Sequence, residues 1–270
     1  MKYIGHTMAL PGVEIAEAIR IFAALGLDGI EIVAQEGTPF HIDAPEEEVE
    51  KIISASRQYD LPVVTLTPYY WAINSDDEAE RRANIEGLKK AIRLAKRMGA
   101  KFVRSYGGRD TAGGTEEEKF DRSVQALKEA GLTAQENGIT IIVENHPGTV
   151  TRTGSATAQM VKAVDLPSVK ALYDPCNVLN DTNEDWLTTL NVQKELIGYI
   201  HCKDYKIEDG KRMACVVGEG VVPWLEILRR LPEKEVNISF EYEKRWYPDQ
   251  IEDAETGLPR CMKYIKEAVK

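Results

Sequence analysis

The chain of 270 residues carries a formal net charge of -10 and has an isoelectric point near 5.1. This acidic balance disfavours nonspecific binding to nucleic acid or to an anionic membrane, because no basic stripe is present to displace counterions. No apolar segment is long enough to span a membrane and the N-terminal residues lack the apolar core of a secretory signal, so a soluble cytoplasmic protein with small-molecule partners is expected.

Short β-branched segments alternate with longer amphipathic segments eight times along the chain. The predicted strands span residues 2–8, 29–33, 62–67, 101–106, 139–143, 170–173, 198–201 and 236–240. The predicted helices span residues 12–25, 45–59, 76–98, 116–137, 155–164, 185–196, 222–231 and 254–269. Proline and glutamate at a helix start, and glycine after a helix end, support several of these bounds.

This alternation implies parallel strands joined by right-handed crossovers. Eight such units predict an α/β fold, the (β/α)8 TIM barrel, formed by a single domain over residues 1–270 because no linker divides the chain. An open doubly wound sheet is the alternative, but no glycine-rich dinucleotide or P-loop motif follows a strand. Four cysteines without a C-x-x-C pair predict neither a disulfide framework nor a structural zinc site.

Polar side chains stand where four consecutive predicted strands end, and they are Glu144, Asp174, His201 and Glu241. The carboxyl ends of barrel strands converge on one mouth, so these groups are expected to meet. Three carboxylates in one mouth repel one another unless a cation compensates them. An oxygen-rich set with one imidazole favours one Mn²⁺, with Mg²⁺, Co²⁺ and Zn²⁺ as alternatives. The competing interpretation is a set of ordinary strand-end groups in salt bridges with Lys203, Arg104 or Arg245.

Further side chains are predicted to line this mouth. Strand alternation places His146 on the face of Glu144, and Lys203 on the face of His201. Aromatic side chains beyond the third, fourth and eighth strands could pack on a sugar ring, although loop packing is the commoner role for any one of them. His6 either lines the mouth or fills the bottom of the barrel. The substrate-binding residues predicted from the pattern are His146, Lys203, Tyr106, Trp71 and His6.

Short motifs along almost the whole chain carry a family resemblance. They are ENHPG at 144–148, ALYDP at 171–175, HCKD at 201–204, the Gly-Glu-Gly turn at 218–220 and SFEYE at 239–243. With these motifs the chain resembles the xylose isomerase-like barrel superfamily of sugar isomerases, epimerases and inosose dehydratases. The resemblance implies that Glu144, Asp174, His201 and Glu241 bind one divalent cation. It also implies that Glu144 and Glu241 are the catalytic residues that exchange protons with the substrate.

Two positions depart from the ketose 3-epimerases of this superfamily. Those enzymes carry a histidine three residues after the metal-binding aspartate and an arginine shortly after the metal-binding histidine. Asn177 occupies the first position and Ile207 stands near the second. Asn177 can still donate to a substrate hydroxyl and is included among the substrate-binding residues, but 3-epimerisation of a free ketose is disfavoured. The His-rich trinuclear zinc site of the related DNA-repair endonucleases does not fit a chain with four histidines.

The expected function is that of a metal-dependent sugar isomerase or epimerase of carbohydrate metabolism. The cation would polarise a carbonyl and its neighbouring hydroxyl, one glutamate would remove the carbon-bound proton, and the other would reprotonate the enediolate. Loss of a β-hydroxyl would instead make the protein a dehydratase of a keto-inositol or keto-sugar. A non-catalytic accessory barrel is the third alternative. A homo-oligomer would be usual for the superfamily.

Overall fold

The computed structural model describes residues 1–231 and 236–268. The strands of the described residues are β1 Lys2–His6, β2 Gly29–Ala34, β3 Val63–Pro68, β4 Phe102–Ser105, β5 Thr140–Glu144, β6 Val169–Tyr173, β7 Ile197–Cys202, β8 Asp204–Glu208, β9 Lys211–Cys215 and β10 Asn237–Phe240. All but β8 and β9 form a closed barrel in the order β1-β10-β7-β6-β5-β4-β3-β2, and each pairing is parallel. The predicted (β/α)8 barrel is therefore confirmed.

Helices follow the barrel strands along the chain. They are α1 Ile15–Ala24, α2 Glu46–Gln58, α3 Glu78–Arg97, α4 Glu116–Asn137, α5 Gly154–Val164, α6 Pro175–Asp181, α7 Trp186–Gln193, α8 Trp224–Arg230 and α9 Ala254–Ala268. Local chemistry sets the bounds of α4, which begins with a capping box between Thr115 and Glu118 and ends at Gly138 in the left-handed conformation. The predicted last residue of the final helix, at position 269, lies outside the described residues.

Two elements near the mouth were not predicted. The helix α6 has only seven residues and starts at the end of β6, where the Asp174 side chain accepts a hydrogen bond from the Asn177 N–H at 2.9 Å. Strands β8 and β9 form an antiparallel hairpin whose turn residues, Asp209 and Gly210, both have positive φ. An Asp-Gly pair between two short strands is a hairpin signal, so this element was readable from the sequence.

The interior of the barrel is apolar at its amino end and polar at its carboxyl end. The apolar side chains inside the barrel are Ile4, Val64, Ile142, Leu172 and Tyr199, with Phe102 packed against them. A separate and larger apolar cluster lies mainly between the barrel and the helices. Because the lower barrel is packed with side chains, the part of the barrel interior that can admit a small molecule is the carboxyl mouth. Among residues 1–231 and 236–268, no helix combines the length and the apolar character that crossing a membrane requires.

Candidate metal centre

The four side chains predicted at consecutive strand ends lie together at the mouth. One ligand-type atom from each of Glu144, Asp174, His201 and Glu241 lies within 4.8 Å of the others. All four side chains are buried, with at most 6% of any residue exposed. Glu144 ends β5, Asp174 follows β6, His201 lies in β7 and Glu241 follows β10, so the barrel closure brings together residues that are distant in sequence.

The charges around this quartet do not balance. Four carboxylates are buried here, those of the quartet and that of Glu31, against two buried cations, Arg104 and Lys203. Burial, together with Glu241 and Glu144, raises the pKa of Asp174 to about 7. With all four carboxylates ionised and His201 neutral, as cation binding requires, the buried site carries an excess of two negative charges, which fits a divalent cation.

The hydrogen bonding of the quartet also fits a cation. Within the described chain, His201 Nδ1 has no hydrogen-bond partner, and it lies 3.5 Å from Glu144 Oε1 and 3.4 Å from Glu241 Oε2. Asp174 Oδ2 likewise accepts no well-aligned hydrogen bond there, although Lys203 Nζ is 3.0 Å away. Buried polar atoms are normally satisfied, so these two atoms are available as metal ligands.

Lys203 lies between two members of the quartet. Its Nζ atom is 3.0 Å from Asp174 Oδ2 and 2.5 Å from Glu241 Oε2. Outside the quartet, Glu243 Oε1 is 3.5 Å from the same atom. Burial alone would lower the pKa of Lys203, but Asp174 and Glu241 outweigh burial and hold the pKa well above its usual value. Lys203 thus contacts Asp174 and Glu241 at the mouth, and its contact with substrate stays a prediction. Glu243 was not predicted at this position.

The backbone around Lys203 is held by the neighbouring residue of the HCKD motif. Asp204 accepts hydrogen bonds from the backbone N–H groups of Gly218 at 3.0 Å, Gly220 at 3.2 Å and Val222 at 3.0 Å. A Cβ atom at Gly220 would overlap the Asp204 carboxylate, which explains the glycine in this turn. The Trp224 indole then donates to the Lys203 carbonyl at 3.1 Å. These contacts fix Lys203 in place rather than contribute a ligand.

Glu144 is held by two donors. Arg104 Nη1 donates to Glu144 Oε2 at 2.9 Å, and Asn177 Nδ2 donates to Glu144 Oε1 at 3.2 Å. Burial alone would raise the pKa of Glu144, but His146, His201 and Arg104 outweigh it and lower the pKa to about 2. Asn177 thus contacts a predicted catalytic residue, and its contact with substrate stays a prediction.

An aromatic wall borders the quartet on the side of β3 and β4. The Trp71 and Tyr106 rings stack with centroids 3.7 Å apart, and the His146 ring lies 5.2 Å from Trp71 and 4.9 Å from Tyr106. Tyr106 is only 1% exposed and supports the wall from behind, whereas Trp71 and His146 are partly exposed. Contact of these three residues with substrate stays a prediction.

Glu31, in the middle of β2, is a second residue at this site, besides Glu243, that the sequence analysis missed. Its Oε1 atom accepts from Thr67 Oγ1 at 2.5 Å and lies 3.0 Å from His201 Nε2 and 3.5 Å from His6 Nε2. The signal was a carboxylate inside a strand that is otherwise apolar, GIEIVA. His6, for which two positions were considered, faces Glu31 inside the barrel rather than the open mouth.

Fold and site together define a (β/α)8 barrel with a buried cluster of side chains at its carboxyl mouth that could hold a metal ion. Residues 19–268 match the xylose isomerase-like TIM barrel family, and the chain belongs to this family. The resemblance inferred from the short motifs is therefore confirmed.

Individual relatives differ in chemistry. Fructoselysine 3-epimerase of Shigella flexneri is 31% identical over 93 residues, which cover 33% of this chain and only 34% of the relative. D-Allulose 3-epimerase from Methylomonas sp. superposes with a TM-score of 0.80 at 19% identity, over 99% of this chain and 98% of that one. The probable 3-DHS dehydratase AsbF from Bacillus anthracis gives 0.78 at 18% identity, over 98% and 99%. The two superpositions establish the fold alone, and the two neighbours are described as an epimerase and a probable dehydratase.

Proposed function

We propose that the protein is a divalent-metal-dependent isomerase or epimerase of a sugar or keto-sugar. The observation that carries this proposal is the buried quartet of Glu144, Asp174, His201 and Glu241, whose ligand-type atoms lie within 4.8 Å of one another. Membership of the xylose isomerase-like family and the partial match to a fructoselysine 3-epimerase support the substrate class. The cytoplasmic location, the single domain, the role in carbohydrate metabolism and the homo-oligomeric state stay predictions.

The quartet would hold one ion, Mn²⁺ first, with Mg²⁺, Co²⁺ and Zn²⁺ as alternatives. Such an ion supplies Lewis acidity, which polarises a carbonyl and acidifies the proton on the neighbouring carbon. Glu144 and Glu241 are the proton carriers. Two strands, β6 and β7, lie between the strands that carry them, so the two carboxylates reach the mouth from separate directions. One removes a carbon-bound proton and the other delivers a proton from its own side, which inverts that carbon or moves the carbonyl.

The remaining side chains orient the two glutamates and the substrate. Arg104 and Asn177 hold Glu144 in one rotamer, and Lys203 does the same for Glu241. The Lys203 ammonium is also placed to donate to a substrate oxygen next to Glu241. Trp71 would offer a flat, partly exposed face to the sugar ring, and His146, whose ring stands at 75° to that of Trp71, would border it.

A dehydratase of a keto-inositol or keto-sugar is the second candidate, and a specific observation favours it. The charged Lys203 amine lies 2.5 Å from Glu241, where it can protonate a departing β-hydroxyl after a glutamate has removed the adjacent proton. Asn177 in place of the histidine of ketose 3-epimerases agrees with this candidate. A non-catalytic accessory role would need neither proton carrier.

A deuterium-exchange screen tests these candidates together. Mn²⁺-loaded protein is incubated in D₂O with keto-sugars, keto-inositols and fructoselysine, and NMR identifies both the exchanged carbon and the product. An isomer or epimer with deuterium at the reacting carbon is expected. A dehydrated product would select the second candidate. If protein that binds one divalent ion exchanges no proton with any of these substrates, the catalytic proposal is contradicted and the accessory role is favoured.

Metal affinity should rise with pH through neutrality. The pKa of Asp174 is raised to about 7, and the pKa of His201 is held well above its usual value because Glu241 and Glu31 outweigh burial. Both groups hold protons at low pH that a cation must displace, so lowering the pH weakens binding. Calorimetric titration with Mn²⁺ at about pH 6 and about pH 8, in buffers of different ionisation enthalpy, should show more protons released per bound ion at the lower pH. An affinity that does not change with pH would contradict this prediction.

A further inference from the structure

A second buried polar group lies beside the quartet, deeper inside the barrel. It consists of His6 on β1, Glu31 on β2 and His201 on β7, with ligand-type atoms within 4.8 Å of one another. All three residues are fully buried. His6 and Glu31 are paired across β1 and β2, so they lie at the same level of the barrel. His201 belongs to both groups and connects them.

The hydrogen bonds of this inner group determine where the protons lie. His6 Nδ1 accepts from the Met8 N–H at 3.2 Å, so a neutral His6 carries its proton on Nε2, the atom 3.5 Å from Glu31 Oε1. Thr67 donates its hydroxyl proton to the same oxygen at 2.5 Å. An ionised carboxylate can only accept, so His201 Nε2, at 3.0 Å, must be a donor to Glu31.

In a neutral His201 this assignment leaves Nδ1 with a lone pair, so a cation that displaces the ring's second proton binds at Nδ1. His201 Nδ1 faces Glu144 and Glu241 at 3.5 and 3.4 Å, on the side of the quartet. A nitrogen that carries a proton cannot also bind a cation, so the inner group supports the quartet and is not a second cation site. We propose that Glu31 is a positioning residue that holds His201 as the Nε2–H tautomer with Nδ1 directed at the metal centre.

Among the described residues, histidines and hydroxyl groups surround Glu31. Within residues 1–231 and 236–268, its ion-pair partners are the two histidines, and no lysine or arginine pairs with it. Buried hydroxyls lie around it, since Thr65 is paired with Glu31 across β2 and β3, and Ser239 with His201 across β7 and β10. The charge of the Glu31 carboxylate therefore acts on the metal centre mainly through the His201 imidazole. It makes His201 a stronger metal ligand and fixes the plane of its ring.

The inference rests on the proposed function, and metal titration separates the two. Glu31→Gln should weaken Mn²⁺ binding by about 10- to 100-fold, because the amide is neutral and offers a weaker acceptor. Ser239→Ala is the matched control, a buried hydroxyl at the same level without a hydrogen bond to Glu31 or His201 in the described chain, and it should bind Mn²⁺ like wild type. Wild type without affinity for divalent ions would overturn the proposed function. Wild type and Glu31→Gln with equal affinity would overturn only the role of Glu31.

Ring NMR of the wild-type protein reads the tautomer of His201 directly, and variants serve only to assign the signals and to perturb Glu31. The chain has four histidines, so ¹⁵N-histidine signals of Mg²⁺-loaded protein can be assigned by replacing His6, His41 and His146 one at a time with Gln. The remaining histidine, His201, should show a slowly exchanging proton on Nε2 and an unprotonated Nδ1. Thr67→Val, which removes one donor to Glu31, should shift this signal. A proton on Nδ1 of His201 in the loaded protein would overturn the proposal.

Discussion

Replacing either Glu144 or Glu241 with Gln should reduce product formation by about 10²- to 10⁴-fold, the usual contribution of a general acid or base. Glutamine keeps the shape and one metal-ligand oxygen of glutamate, but it cannot take up or deliver a proton. Both carboxylates are buried and held in a single rotamer, Glu144 by Arg104 and Glu241 by Lys203, so no neighbouring group can replace them without movement. The measurement is product formation and deuterium incorporation by NMR, with the substrate found in the exchange screen.

The two variants should differ in one respect. One variant keeps the glutamate that removes the substrate proton. It should still exchange that proton with D₂O but should not invert the carbon. The exchange therefore shows which glutamate removes the proton and which one returns it. Metal content measured in parallel separates lost proton transfer from lost metal. Glu219→Gln is the control, because Glu219 is exposed at the Gly-Glu-Gly turn and pairs only with Arg260 among the described residues. Turnover like that of wild type in both variants would contradict a two-carboxylate mechanism.

The quartet was predictable because each member interrupts an apolar strand at its carboxyl end. The barrel topology brings all such ends to one mouth, so four local signals were enough to predict a non-local cluster. Lys203 was predicted from the same pattern. It lies two residues after His201, so alternation places both side chains on the same face of the strand. Strand bounds agreed to within a few residues for the same reason, because alternation of strand and helix leaves little freedom in a closed barrel.

Glu31 and Arg104 show where sequence reasoning ended. Glu31 stands in mid-strand, and its partners His201 and Thr67 come from other strands, so the sequence could not distinguish a site residue from ordinary strand alternation. Arg104 was considered as a salt-bridge partner, but only the packed structure shows its guanidinium against two aromatic rings. The contacts of Glu31 and Arg104 depend on distances across the barrel, and a local sequence pattern does not predict such distances.

Replacing Arg104 with Met should destabilise the metal-free protein by about 3–5 kcal/mol, the usual cost of removing one partner of a buried ion pair. Arg104 and Glu144 are only 2% and 1% exposed, so water cannot solvate the carboxylate that remains. The guanidinium carbon lies 4.4 Å from the Tyr69 ring centroid and 3.9 Å from that of Tyr106, and Nη2 donates to the Pro68 carbonyl at 3.2 Å. Arg104→Lys keeps the charge but loses this fork and stacking, so it should fall between Met and wild type.

Urea unfolding followed by circular dichroism, with and without Mn²⁺, measures the effect and its cause. Arg109→Met is the matched control, because the Arg109–Glu80 pair is about a third exposed and its loss should cost no more than about 1 kcal/mol. If the cost arises from uncompensated charge, Mn²⁺ should restore part of the stability of Arg104→Met, and adding Glu144→Gln should restore part of it without metal. Equal destabilisation by Arg104→Met and Arg109→Met would contradict the charge imbalance. It would mean that the buried carboxylates need no positive charge from Arg104, and therefore no compensating metal ion.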